Sequence, residues 1–234
     1  MANVRTFELP HFPQYPVHVA LFKNVTNVAY LRSQLLEANA AFDYAFLDAS
    51  MILSPTHLLS ATQHALHHYQ TSRLKARTPH SELVFRLHPN NNIGESYRKF
   101  GISDSTTVLI AVKLQLPHED GDGDGGGDGG GDGGGDGGGD AGVTRESVSR
   151  HLGENVEGES VEIGEDGEGL GRFCDLAAVR KVYKLDGGGG DGGKGKGKGK
   201  KGAVNGGANG TVDEVDERKE VEAVVLGMMT IKGS

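Results

Sequence analysis

The sequence predicts an α/β fold class, one domain interrupted by two segments that cannot fold. Three observations carry this. Apolar residues alternate over 17–22 and run unbroken over 108–112, as strands do, and they recur at three- and four-residue steps over 28–38, 55–69 and 175–185, as helices do. Glycine is concentrated: of 38 glycines, 14 lie between Gly121 and Gly139 and 13 between Gly187 and Gly210. Stretches so poor in apolar side chains cannot offset the entropy of ordering the chain. Disordered insertions are therefore expected at 118–142 and 186–215, within a single domain spanning 1–234.

In chain order, Val17, Val19 and Leu21 oppose His18, Ala20 and Phe22, a strand covered on both faces. Val28, Leu31, Leu35 and Ala38 mark a helix after the capping candidates Thr26 and Asn27. Residues 44–47 form a short strand. Ser54-Pro55 places a capping hydroxyl before a proline at the first helical position and opens a helix through Leu58, Ala61, Ala65 and Tyr69. A basic turn with Arg73, Lys75 and Arg77 ends it. Leu83, Phe85 and Leu87 alternate with Glu82 and Arg86, which predicts a strand with one buried face.

Ile93, Tyr97 and Phe100 share a stripe of a short helix that any of Asn90, Asn91 or Asn92 can cap. Gly101 is placed as its left-handed C′ residue, with Ile102 packing back on Tyr97. Residues 108–112 read as a central strand. Beyond the first tract, a helix is expected at 145–152, a strand at 161–163 and a helix at 175–185, and a closing helix starts near Asp216.

The net charge of −8 is uneven, because residues 119–168 hold 16 acids against Arg145 and Arg150. The remainder is mildly basic, which fits a nucleic-acid partner, although such a bias also describes a solvated surface. Cys174 is the only cysteine, so intrachain disulfides and thiolate metal clusters are excluded and a reducing compartment is expected. No run approaches the roughly 20 apolar residues that span a bilayer, so no membrane association is expected.

Catalytic and metal signatures are incomplete. Asp120, Asp122, Asp124 and Gly125 match the opening of a calcium loop, but its twelfth position is Gly131 where a bidentate glutamate is needed. His64 and His68 have a spacing that can share a metal, yet no carboxylate completes the set. Cys174 as a nucleophile competes with its reading as a small packed residue. No phosphate-binding glycine motif occurs, so no cofactor is expected. Arg73, Lys75 and Arg77, followed by Thr78, offer phosphate-type contacts, or else cations meeting a helix dipole.

The stretch NNNIGESYRKFGISDSTTVLIAV from Asn90, with RLKARTPHSELVFRL before it, resembles the KEOPS/EKC complex subunit family typified by the PRPK-binding protein. Leu21-Phe22-Lys23-Asn24-Val25 is similar to that family's first strand and turn, and residues 179–185 to its penultimate helix. The likeness covers roughly 150 residues, and the triple asparagine is its most specific element.

The resemblance implies a mixed β-sheet packed with helices, no active site and no cofactor. It implies direct binding to the small atypical protein kinase subunit of KEOPS and, through the complex, to the catalytic and dimerisation subunits. That complex makes threonylcarbamoyladenosine beside the anticodon of tRNAs reading codons that begin with A. Members also help to capture tRNA by its 3′ CCA tail. Nucleus and cytoplasm follow as locations, and the family name suggests action at telomeres and in transcription.

Mapped onto this chain, the expected tRNA-binding residues are Lys75, Arg77, Thr78, Asn90, Asn91 and Asn92. The expected kinase-binding residues are Val225, Met228, Met229 and Ile231 on the closing helix, whose apolar surface extends beyond the stripe that docking on a sheet needs. The bland alternatives are an asparagine N-cap and a helix that is simply core. The rival readings are a free-standing nucleic-acid-binding protein and an enzyme of unknown type.

Overall fold

The computed structural model describes residues 1–117, 142–186 and 210–232, with side chains of the last segment from residue 216 onward. Most of both glycine-rich tracts, with the calcium-loop opening at Asp120, lies outside these residues. The elements are β1 (Val4–Leu9), β2 (Phe12–Lys23), α1 (Val28–Leu36), β3 (Ala45–Asp48), α2 (Pro55–Gln70), α3 (Pro79–Leu87), α4 (Ile93–Phe100), β4 (Leu109–Leu114), α5 (Arg145–Asn155), β5 (Glu159–Val161), α6 (Leu176–Val182) and α7 (Gly210–Lys232). The α/β class holds. The backbone of α7 begins at Gly210, ahead of the start near Asp216 expected for the closing helix.

The strands form one sheet in the order β1-β2-β4-β3, with β5 pairing the end of β2. Every pairing among the described strands is antiparallel, where a mixed sheet was expected. The reason is the opening hairpin together with α3. β1 escapes a reading that begins at Val17, and Pro13 and Pro16 argue against any strand there. Both prolines fall where the β1–β2 register shifts, between Phe7↔Val17 and Leu9↔Phe12, so no ladder amide is lost.

The predicted strand at Leu83, Phe85 and Leu87 is helix α3. Thr78 accepts from the Ser81 amide and Pro79 opens the first turn, the same signature that Ser54 and Pro55 give α2. Alternation misleads here because α3 is buried on all sides: Glu82 and Arg86, at 0% and 2% exposure, are neither of them a solvent face. They form an i,i+4 ion pair of 2.6 Å inside the protein.

Both faces of the sheet are covered. Val17, Val19, Leu21, Ile110 and Val112 pack with Leu58, Ala65, Leu83, Leu87 and Val179 of α2, α3 and α6, and with Val221, Val225 and Met229 of α7. Ala20, Phe22, Leu109 and Ala111 pack on the other side with Val28 and Leu31 of α1 and Val148 and Leu152 of α5. Ile102 belongs to this second cluster. Gly101 is extended at φ −73° and not left-handed; a Cβ there would stand 2.6 Å from the Tyr97 carbonyl oxygen. No helix among the described residues is long and apolar enough to cross a membrane.

Candidate functional site

The turn between α2 and α3 presents Arg73, Lys75 and Arg77 to solvent. Its ends are tied down. His68 Nδ1 lies 3.0 Å from the Arg73 carbonyl, and the Thr78 hydroxyl donates to Asp43 at 3.0 Å. Thr78 is also the cap of α3, so half of its expected binding role is structural.

Asp43 organises the floor behind this turn. The Leu114 amide donates to His80 Nε2 at 2.9 Å, which leaves the proton on Nδ1 to donate to Asp43, also at 2.9 Å. Burial pushes the Asp43 carboxyl up, but the bonds from His80 and Thr78 and the charge of Lys113 more than offset it, and it titrates below its ordinary range. Burial pulls Lys113 down, against the attraction of Asp43. Lys113 Nζ donates to the Asp43 carbonyl at 2.7 Å and lies 4.9 Å from the centre of the Tyr44 ring.

Arg77, Thr78, Ser81, Lys113, Tyr97 and Asn39 line a cavity of about 300 Å³. It meets a second cavity of about 670 Å³ between α1 and α4, lined by Arg32, Leu36, Gly94 and Arg98, and the two share Leu35 and Tyr97. The result is a groove with cations along both halves and an aromatic ridge between them, though Arg32 pairs with Asp104 at 2.7 Å and Arg98 pairs with Glu95. Lys113, Tyr97, Arg98 and Arg32 are absent from the sequence expectation. Lys113 closes an apolar run and reads as a strand end, Tyr97 reads as part of the apolar stripe of α4, and Arg32 and Arg98 carry no signal that sets them apart from other charged helix residues.

Asn90, Asn91 and Asn92 are exposed. Asn92 is the cap of α4, accepting from the Glu95 amide at 3.0 Å, and Asn90 donates its amide to His88 at 3.0 Å. The asparagines and the basic turn sit at opposite ends of α3, about 12 Å apart by its rise per residue. They do not touch. The groove passes between the two ends, from Arg77 and Thr78 past Tyr97 to Gly94, two residues from Asn92.

On α7 the inward stripe is Val221, Val225 and Met229, at 5%, 0% and 2% exposure. Val225 and Met229 are thus core, which corrects their expected place on a partner surface: positions i, i+4 and i+8 hold the side turned to α2 and α3. Ile231 and Val224 are exposed at 76% and 47%, and Met228 is half-buried. A Cβ at Gly227 would meet nothing within 4 Å. The tighter periodicity of the inward triplet was the available signal for separating the two faces.

The other reactive candidates have structural partners. Burial pushes the Cys174 thiol up to about 11, so it is protonated at neutral pH. Burial pulls His57 down to about 3; its Nδ1 accepts from the Leu53 amide at 3.3 Å and its Nε2 meets the Tyr183 hydroxyl. His68 is engaged by Arg73 and Arg86. Among the described residues no three His, Cys, Asp or Glu side chains gather into a metal-holding group.

Comparison with known proteins adds the family context. The family model described as kinase binding protein CGI-121 matches residues 22–233. The chain is 54% identical to the EKC/KEOPS complex subunit CGI121 of Phaeosphaeria nodorum, covering 99% of this chain and 100% of that protein. It is 38% identical to the corresponding subunit of Aspergillus terreus, over 100% of this chain and 98% of the relative. Identity is 32% to that of Schizosaccharomyces pombe, over 76% and 87% of the two chains.

Proposed function

Because the chain belongs to the CGI-121 family of kinase binding proteins, we propose that it is a non-catalytic subunit of the EKC/KEOPS complex whose closing helix docks the atypical kinase subunit. The observation that carries this is the division of α7 into two apolar faces. Val221, Val225 and Met229 complete the core, while Val224, Gly227 and Ile231 recur at i, i+3 and i+7 on an outward line where the two side chains are 47% and 76% exposed and a Cβ at Gly227 would meet nothing within 4 Å. A helix that served only as core would need just the first face. In a purified mixture, the full chain should form a complex with the kinase subunit that a paired Val224→Glu and Ile231→Glu variant does not form. Binding unchanged by that pair would refute the placement.

The same reading includes tRNA recruitment for threonylcarbamoyladenosine formation, with the 3′ tail received by the groove that begins at Arg77. Supporting it are the exposed cations of the turn, the cavity cation Lys113 and the Tyr97 ridge, since unpaired nucleotides are held by cations along the backbone and by aromatic side chains against bases. Lys75 and the exposed Asn90 and Asn91 flank that path. Residence in nucleus and cytoplasm would follow the complex. A free-standing nucleic-acid binder would show the RNA affinity without the kinase complex.

A further inference from the structure

The basic turn is built around a buried carboxylate that neither the kinase nor the RNA reading uses. Glu82, at 0% exposure, is saturated with donors. Its Oε2 accepts from the consecutive backbone amides of Lys75 and Ala76 at 2.9 and 2.8 Å. Its Oε1 accepts from Arg86 Nε at 2.7 Å and lies 2.6 Å from Arg86 Nη2. Two successive amides turned on one anion make a nest, a backbone shape that the anion itself stabilises.

A buried ion pair of this kind contributes little net stability and is commonly replaceable by well-packed apolar residues. Its geometry fixes something else. With the amides of residues 75 and 76 directed inward, the flanking Lys75 and Arg77 are the exposed members of the turn, and Ala76 between them is half-buried. The other ties lie at the ends, His68 on Arg73 and Thr78 on Asp43. Among the described residues, Glu82 supplies the side-chain hydrogen bonds to the middle of the turn. The apolar members of this turn, Leu74 and Ala76, are only half-buried, and Lys75 and Arg77 are rotamer-rich cations, so without a fixed backbone these would order at a cost on meeting a ligand.

We propose that Glu82 is a positioning residue: by binding the Lys75 and Ala76 amides it pre-organises Lys75 and Arg77 for phosphate contact, with Arg86 orienting its other oxygen. This rests on the reading of the turn as an RNA-binding element. Glu82→Gln is the nearest isostere, and its amide must face donors on one side or the other, so at least one pair of bonds is lost.

The test measures binding of a tRNA ending in CCA to the full chain carrying Glu82→Gln, Lys75→Ala with Arg77→Ala, and all three changes. Expected are a roughly tenfold loss with Glu82→Gln alone and no further loss when it is added to the alanine pair, the signature of one coupled unit. Amide exchange should quicken at residues 75 and 76 while α3 stays protected. Wild-type affinity in Glu82→Gln, with the alanine pair still weakened, overturns the positioning role and leaves the RNA reading standing. An equal loss in both backgrounds also overturns it, since the effect would then be general. An alanine pair that binds normally overturns the RNA reading and the proposal with it. Should Arg86, left unpaired, unfold the single variant, Glu82→Gln with Arg86→Met removes the stranded charge and is read against the same outcomes.

Discussion

Lys232, the last described residue of α7, holds its Nζ 3.6 Å from the centre of the Phe85 ring and donates to the Phe85 and His88 carbonyls at 2.5 and 2.7 Å. The closing helix thereby caps the C-terminal carbonyls of α3, a role suited to a lysine. Lys232 stands seven residues beyond Val225, on the inward side of α7, and ties that side to the segment that carries Asn90.

A pH dependence follows from this contact. Burial pulls Lys232 down to about 7, helped by Arg86 and Lys75 and opposed by Glu82. In the unfolded chain a lysine titrates near 10.4. Between these values the unfolded state binds a proton that the folded state has released, so stability rises with pH from about 7 toward about 10. Below about 7 both states hold the proton and the penalty is constant. Urea denaturation across this range should show the rise in wild type and its loss in Lys232→Met, which keeps an apolar stem over Phe85. A wild-type advantage that falls with pH would mean that the carbonyls and the ring hold the ammonium charged.

The two faces of α7 should separate under mutation. Val225→Glu or Met229→Glu places an unpaired charge in the core beside Val221 and the helices beneath. Each should cost several kcal/mol, on the order of 3 or more, and lower the Tm accordingly. Val224→Glu and Ile231→Glu lie on exposed positions and should move stability by less than about 0.5 kcal/mol. Thermal melts of the four single variants decide it; equal losses at all four positions would make both faces core.

Much of the fold is legible from residues with one dominant partner. Ser54 and Pro55 fix the start of α2, and the unbroken run ending at Val112 marks β4, which lies between β2 and β3. What misleads is burial without a polar face. Glu82 and Arg86 satisfy each other inside the protein, so α3 imitates a strand, although Thr78-Pro79 repeats the signature read correctly at Ser54-Pro55. The turn cations were legible because exposure needs no partner. Lys113 and Tyr97 were not, because the groove they line exists only once β4, α1 and α4 are brought together.

Gly101 provides a test of close approach against backbone handedness. At a left-handed position asparagine would be tolerated better than alanine. Here φ is −73° and the obstacle is the Tyr97 carbonyl oxygen, 2.6 Å from where a Cβ would stand. Gly101→Ala should therefore cost about 1–3 kcal/mol, as overpacking does, and Gly101→Asn at least as much. Urea midpoints compare the two; asparagine restoring stability relative to alanine would return the left-handed assignment.

The groove and the asparagine loop should respond differently to salt. Arg77 and Lys113 place cations at one cavity from two separate elements, whereas Asn90 and Asn91 are neutral. For a single strand, each phosphate contact removed lowers the slope of log affinity against log salt by about 0.7. Arg77→Ala and Lys113→Ala should each weaken binding to a CCA-ended RNA and flatten that slope by about this amount. Asn91→Ala should weaken binding with the slope unchanged, as the loss of a base-edge contact does. Asn92→Ser preserves a capping oxygen for the Glu95 amide and separates the fold of α4 from any contact of its own. Lys113 needs one further control, because its Nζ also bonds the Asp43 carbonyl. Lys113→Met retains the stem over Tyr44 and removes only the charge. If Lys113→Met binds RNA with an unaltered slope while Arg77→Ala flattens it, the path follows the surface of the turn and does not enter the cavity.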